Sequence, residues 1–194
     1  MNEKNGIEYL KQLHSIFTDL NITFWLIYGT CLGIYRDNKL ISWDEDIDIG
    51  IWPQDDYEPL LKKINENFTK PECFPMDIKN VSTLYIIKTG DYHITSNSID
   101  PYLDIIPFYE GNGSYWFLRG IKDGNVVGLR YPKIFFDSFE QIEFKGLTFN
   151  VPANTNEYLA YLYNDWRRSQ KIEEYMLPNR VEAIVRLFEV YCEA

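Results

Sequence analysis

Trp43-Asp44-Glu45-Asp46-Ile47-Asp48-Ile49-Gly50-Ile51-Trp52 is the stretch that decides the fold of this chain. From Asp46 onward, carboxylates and isoleucines alternate. Successive side chains of a strand point to opposite faces, so residues 46–52 are predicted to form one. Asp46 and Asp48 then share one face, and Ile47, Ile49 and Ile51 share the other. Aspartate is depleted in strands, so two of them flanking an isoleucine need a cause. One cause is an exposed, solvated strand face. The other is a hard cation such as Mg²⁺, which takes oxygen ligands, often one or two carboxylates plus substrate phosphates. Asp44 has the parity of the pair but sits at the strand's start, and Glu45 faces the other way.

Upstream, the apolar residues 24–28 predict a short strand, Gly29-Thr30 breaks it, and residues 31–36 predict a short helix. A glycine at such a junction lets backbone approach a ligand closely, and helix N-terminal amides suit phosphate oxygens. A plain turn glycine is the alternative. Trp43, just before the acidic run, fits either core packing or stacking on a base or sugar. Downstream, Tyr102-Leu-Asp-Ile-Ile-Pro-Phe-Tyr109 holds one charge, Asp104, in an otherwise apolar strand. A buried lone carboxylate is costly unless paired or bound to a metal. Next to the first strand, it would complete a cluster of Asp46, Asp48 and Asp104. On an edge strand, which Pro107 permits, it would face water.

Ile7, Leu10, Leu13, Phe17 and Leu20 recur at helical spacing over residues 5–20. Asp55 and Glu58 have capping-box spacing, with Pro59 in the first turn of a helix reaching about residue 68. Strands are predicted at residues 84–88, 102–109, 115–118, 141–144 and 147–151, and helices at 154–163 and 178–191. This order predicts an α+β (mixed α/β) domain spanning residues 1–194, with a mixed sheet flanked by helices. The 15 Tyr, 12 Phe and 5 Trp predict a core built on rings.

The net charge of −10 excludes general nucleic-acid binding, which relies on Lys and Arg. Cys31, Cys73 and Cys192 lack CxxC spacing and are odd in number. They fit a reducing compartment, with no disulfide framework or zinc cluster. His14 and His93 are the only histidines, which excludes a histidine-rich metal site. The first residues lack signal-peptide order, and the longest uncharged stretch, residues 20–35, is too short for a membrane helix. A cytoplasmic location without an integral membrane segment is expected.

The segments Tyr28-Gly-Thr-Cys-Leu-Gly-Ile-Tyr-Arg36 and Leu40-Ile-Ser-Trp-Asp-Glu-Asp-Ile-Asp-Ile-Gly50 together resemble the signature of the LicD/fukutin family, roughly GTLLGxxRxxxxIPWDxDIDIG. Leu103-Asp-Ile-Ile-Pro-Phe108, Phe144-Lys-Gly-Leu-Thr-Phe-Asn-Val-Pro152 and Glu157-Tyr-Leu-Ala-Tyr-Leu-Tyr-Asn-Asp-Trp166 resemble later family elements. The similarity extends from about residue 5 to residue 168. Ser42 departs from the usual proline, Asp37 from a common histidine and Asn164 from a frequent glycine.

The resemblance implies a nucleotidyltransferase-like fold of the DNA polymerase β type. It also implies transfer of a phospho-alcohol group, such as phosphocholine or a phospho-alditol, from a CDP-linked donor to a sugar or glycan hydroxyl, with CMP released. Asp46, Asp48 and Asp104 would hold Mg²⁺, or Mn²⁺, and Asp104 would accept the hydroxyl proton. Gly29 and Thr30 would touch donor phosphate, with Trp43 and Asp44 beside the substrate. Arg36 would neutralise phosphate or, in the structural alternative, pair with Asp44 or Glu45. The basic, aromatic cluster Asp165-Trp166-Arg167-Arg168 fits either an anionic substrate contact or a solvated helix end. The competing functions are nucleotidylyl transfer from a nucleoside triphosphate and a non-catalytic nucleotide- or glycan-binding module.

Overall fold

A computed structural model describes residues 1–68, 74–76, 84–89, 102–122, 125–168 and 182–185. Helix α1 (Glu3–Asp19) follows the predicted apolar stripe and buries Leu10, Leu13, Ile16 and Phe17. Asn2 caps it, its side-chain oxygen accepting from the Lys4 amide at 3.0 Å, which satisfies a donor that has no intrahelical partner. Strand β1 (Phe24–Leu26) is shorter than the sequence suggests, because the chain leaves the sheet at Tyr28 to start helix α2 (Tyr28–Asp37). Asn38 closes α2 in the left-handed conformation, a conformation asparagine tolerates.

Strand β2 (Asp46–Ile51) is the predicted alternating strand. It runs antiparallel to β1, with Trp25 opposite Gly50 and Leu26 opposite Ile49. On its other side it runs parallel to β5 (Tyr102–Gly111), with Asp48 opposite Asp104. Helix α3 (Glu58–Asn67) follows β2. The expected Asp55–Glu58 capping box is not formed: Asp56, one residue later, accepts the Glu58 amide at 2.8 Å. Strand β3 (Phe74–Met76) pairs with β4 (Leu84–Thr89), and β4 lies antiparallel along Leu103–Ile105 of β5. Residues 103–105 thus have a strand on each side, and Asp104 is interior to the sheet rather than on an edge.

The sheet continues through β6 (Ser114–Lys122) and β7 (Asn125–Pro132), both antiparallel. A 3₁₀ turn (Lys133–Phe135) leads to the hairpin β8 (Phe139–Phe144) and β9 (Leu147–Pro152). Its two turn residues, Lys145 and Gly146, both have positive φ, as a tight hairpin requires. Helix α4 (Thr155–Tyr163) comes next. The helix expected over residues 178–191 is not found where the chain is described. Glu182–Val185 is instead strand β10, antiparallel to β7. The backbone groups at the edge of β7 take a strand partner there, and this pairing prevails over helical spacing. Among the described residues the result is a mixed α+β structure with an eight-stranded sheet. No described helix is long and apolar enough to cross a membrane.

The core is aromatic, as the composition implies. The Trp25 indole is fully buried and has Trp52, Phe139, Phe136 and Phe108 within 5.7 Å, ring centre to ring centre. A Cβ on Gly50 would come within 2.4 Å of that indole. The missing side chain lets the ring lie across β2 two residues beyond Asp48. On the opposite face, Ile47, Ile49 and Ile51 are completely buried. Ile47 lies against α1 at Gly6.

Candidate active site

The sheet brings Asp46, Asp48 and Asp104 together. One carboxylate oxygen from each lies within 4.8 Å of the others. The parallel register does this: Asp48 and Asp104 are direct partners, and Asp46 follows two residues back on the same face. Asp48 is 7% exposed, while Asp46 and Asp104 are half-buried. Three carboxylates at this spacing repel one another, and desolvating an ionised carboxylate is costly. An all-oxygen, all-anionic donor set is the chemistry of a hard divalent ion. The cluster could hold one.

The turn after β1 is tied to this cluster through the backbone of Asp48. The Ile27 amide donates to the Asp48 carbonyl at 3.3 Å, the last rung of the β1–β2 ladder. Tyr28 then turns out of the sheet at φ +47°, so the next rung has no backbone acceptor. The Thr30 hydroxyl oxygen replaces it, accepting the Asp48 amide at 3.0 Å. Thr30 is 1% exposed, so this bond is shielded from water.

Asp44 and Gly29 occupy adjoining space. A Cβ on Gly29 would lie 1.9 Å from Asp44 Oδ2, so only glycine lets the carboxyl settle against the first turn of α2. Burial, together with the charge and hydrogen bond of Asp46, pushes the Asp44 carboxyl up to about 7. The Met1 nitrogen donates to the carbonyl oxygens of Ser42 and Asp44 at 2.5 and 2.6 Å, on either side of Trp43. Trp43 is 49% exposed, so it is not a core residue and stands on the surface at the start of the acidic run.

The sequence model described as "LicD/FKTN/FKRP, nucleotidyltransferase domain" matches residues 21–154, which hold the turn, the cluster and the β8–β9 hairpin. This chain belongs to the LicD/FKTN/FKRP family. Among its relatives, the ribitol-5-phosphate transferase FKTN of Homo sapiens is 27% identical over 179 residues. That alignment covers 86% of this chain and 36% of the relative. The FKTN protein of Mus musculus is 43% identical over 179 residues with the same coverage. An uncharacterized Rickettsia typhi protein, RT0683, is 39% identical over 59 residues, covering 29% of this chain and 19% of that protein. The chain thus spans little more than a third of the length of the FKTN relatives.

The other residues singled out from this LicD-family sequence are placed as follows. Arg36 does not pair with Asp44 or Glu45. Its Nε and Nη2 both donate to Asp37 Oδ2 at 2.8 Å, and Nη1 donates to the Trp166 carbonyl at 3.4 Å. A neighbour in sequence is within reach without ordering a loop, so Asp37 takes the guanidinium. Arg168 pairs with Asp165 at 3.1 Å. Arg167 lies over the Trp166 ring, 4.5 Å from its centre, and donates to Asn156. His93, Cys73 and Cys192 lie outside the described residues.

The structure adds two tyrosines, Tyr131 and Tyr158, that no local pattern assigns to this region. The Tyr28 amide donates to Tyr158 Oη at 3.3 Å, and Tyr28 Oη bonds Tyr131 Oη at 2.6 Å. Tyr131 and Tyr158 are 103 and 130 residues away in sequence, beyond the reach of periodicity. Only the Glu157-Tyr158-Leu159 segment gave a signal, as part of a family resemblance without a stated role.

Proposed function

We propose that this chain is a metal-dependent phosphotransferase. It would move a phospho-alcohol group from a CDP-linked donor to a sugar or glycan hydroxyl and release CMP. The observation that carries the proposal is the three-carboxylate cluster of Asp46, Asp48 and Asp104 beside the Gly29-Thr30 turn, in a chain of this family. The mammalian relatives are named ribitol-5-phosphate transferases, which puts CDP-ribitol first among donors. The proposal includes a nucleotidyltransferase-like arrangement of the sheet within one domain over residues 1–194.

Asp46, Asp48 and Asp104 would hold Mg²⁺ or Mn²⁺, which supplies positive charge for the phosphate oxygens when bound. First-turn amides of a helix have no intrahelical partner, and those of Gly29 and Thr30 would receive donor phosphate. Trp43, with its exposed ring, and Asp44 would lie beside the base or sugar. The acceptor oxygen attacks the distal phosphorus, a new P–O bond forms, and the bond to CMP breaks. Asp104, on the neighbouring strand, takes the hydroxyl proton. Most of the work left to the protein is positioning and charge placement.

Incubation of the purified protein with Mg²⁺, CDP-ribitol, CDP-choline or CDP-glycerol and candidate glycans tests this directly. CMP should form with one donor, stop in EDTA and resume when Mg²⁺ is restored. Asp48→Asn should cost about 10²-fold or more, the scale of losing one charge-stabilising group. Pyrophosphate release from a nucleoside triphosphate would indicate nucleotidylyl transfer. Unchanged cellular function of Asp48→Asn would indicate a binding module.

A further inference from the structure

We infer that α4 and its exit at Trp166 act as a brace for α2, and that Tyr158 is the positioning residue that passes the constraint to Thr30 and Asp48. The effect on metal binding rests on the function proposed above; the brace itself does not.

Tyr158 is completely buried, at 0% exposure. A hydroxyl there is costly unless it is hydrogen-bonded, and phenylalanine would fill the space without that requirement. The hydrogen bond Tyr158 Oη does make reaches the amide of Tyr28. Tyr28 is the residue in the chain's turn from sheet to helix, and its left-handed φ of +47° is one that side-chain-bearing residues rarely adopt. Such a conformation persists only where its surroundings over-determine it. Here the amide is held by Tyr158 and the side-chain hydroxyl by Tyr131, itself 1% exposed. Burial keeps the Tyr158 phenol protonated far above neutral pH, so its oxygen accepts as a neutral group.

The far end of α2 is held from the same segment. Arg36 donates to the Trp166 carbonyl, and the rings of Tyr35 and Trp166 meet edge to face at 5.6 Å. With both ends of α2 fixed, Thr30 is held in place to accept the Asp48 amide. The path therefore runs from Tyr158 through the Tyr28 amide and the turn to Thr30, then to Asp48 beside Asp104. This gives the Glu157–Trp166 segment a function that its resemblance to the family left unstated.

The test uses the full chain with Mn²⁺ as the probe, titrated by calorimetry, and hydrogen exchange at the Tyr28 and Asp48 amides. Tyr158→Phe keeps the ring and removes the oxygen. It should weaken Mn²⁺ binding about five- to tenfold and speed exchange at both amides by a similar factor, the scale of one hydrogen bond. The control is Phe149→Leu in β9, which lowers core stability without touching the path. It should leave both readouts unchanged. In the double variant Tyr158→Phe with Thr30→Val, Mn²⁺ binding should be no weaker than in Thr30→Val alone, because both act through one route. Wild-type affinity and exchange in Tyr158→Phe would overturn the inference, as would equal changes in Phe149→Leu. A wild-type chain that takes up no Mn²⁺ would overturn the proposed function instead. Amide exchange, which needs no metal, would then decide the brace.

Discussion

Gly6→Ala and Gly33→Ala place the same methyl group in two helices at nearly the same close distance, yet they should change stability differently. A Cβ on Gly6 would lie 2.5 Å from Leu40 Cδ1 and 2.7 Å from Met1 Sδ. Both are ends of rotatable side chains, and a rotamer adjustment costs about 0.5–1.5 kcal/mol. Replacing a helical glycine by alanine returns about 0.8–1.0 kcal/mol. Gly6→Ala should therefore fall within about 0.5 kcal/mol of wild type. A Cβ on Gly33 would lie 2.6 Å from the Lys39 carbonyl oxygen and 3.1 Å from the Ile41 amide nitrogen. Those are backbone atoms and cannot rotate away. Overpacking against fixed backbone falls in the upper part of the usual range, about 2–3 kcal/mol, of which the helix gain offsets about 1.

Gly33→Ala should thus lose about 1–2 kcal/mol net. In a chain of this size that is a fall in Tm of roughly 2–8 °C, at about 2–4 °C per kcal/mol. The loss bears on the site, since residues 39–41 carry the chain from α2 into the acidic run. Thermal unfolding of both variants by circular dichroism, checked by urea titration with the m-value held constant, is the assay. A Gly33→Ala protein as stable as Gly6→Ala would refute the idea that backbone contact fixes this approach.

Asp104→Asn should have opposite effects with and without metal. In EDTA it removes one of three mutually repelling charges and should raise Tm by about 2–4 °C, for ~1 kcal/mol of relief. With Mg²⁺ it should lose the ligand-induced rise that wild type gains; an unaltered Mg²⁺ response would count against Asp104 as a ligand. Burial and the charge of Glu140 raise the Cys31 thiol far above its ordinary range. At pH 8, peptide-mapped alkylation should leave Cys31 unmodified until denaturant is added, and rapid labelling of the native protein would refute its burial.

The alternation at Asp46–Ile51 was legible because strand geometry is local: period two places both aspartates on one face whatever else the chain does. Helix α1 was legible for the same reason, through its apolar repeat. The partner strand of β2 was not. Asp104 stood out as a lone charge, but only the parallel register sets it opposite Asp48. Glu182–Val185 has helical spacing in sequence and is a strand because β7 pairs with it, a tertiary influence that local spacing does not record. Trp43 fitted core packing better than stacking by type, yet it is 49% exposed, between Ser42 and Asp44 whose carbonyls accept from the Met1 nitrogen. The Tyr28–Tyr158 bond joins residues 130 apart, so no window along the chain contains it.

The cluster depends on register more than on composition. If β2 slipped one residue against β5, Ile47 or Ile49 would stand opposite Asp104, and the carboxylates would face the side where α1 packs. Two features on either side of the cluster oppose such a slip. At one end, Trp25 lies across Gly50, and a shift would bring Ile49 or Ile51 beneath the indole, where even a Cβ at 2.4 Å does not fit. At the other, the Asp48 amide is matched to Thr30 Oγ1, and a shifted strand would present a different amide to it. Glycine at 50 and threonine at 30 therefore specify where Asp48 stands, and Asp48 specifies which residue of β5 can join it. On that view the front segment and the acidic run form one device, with the spacing between them set by where β1 leaves the sheet.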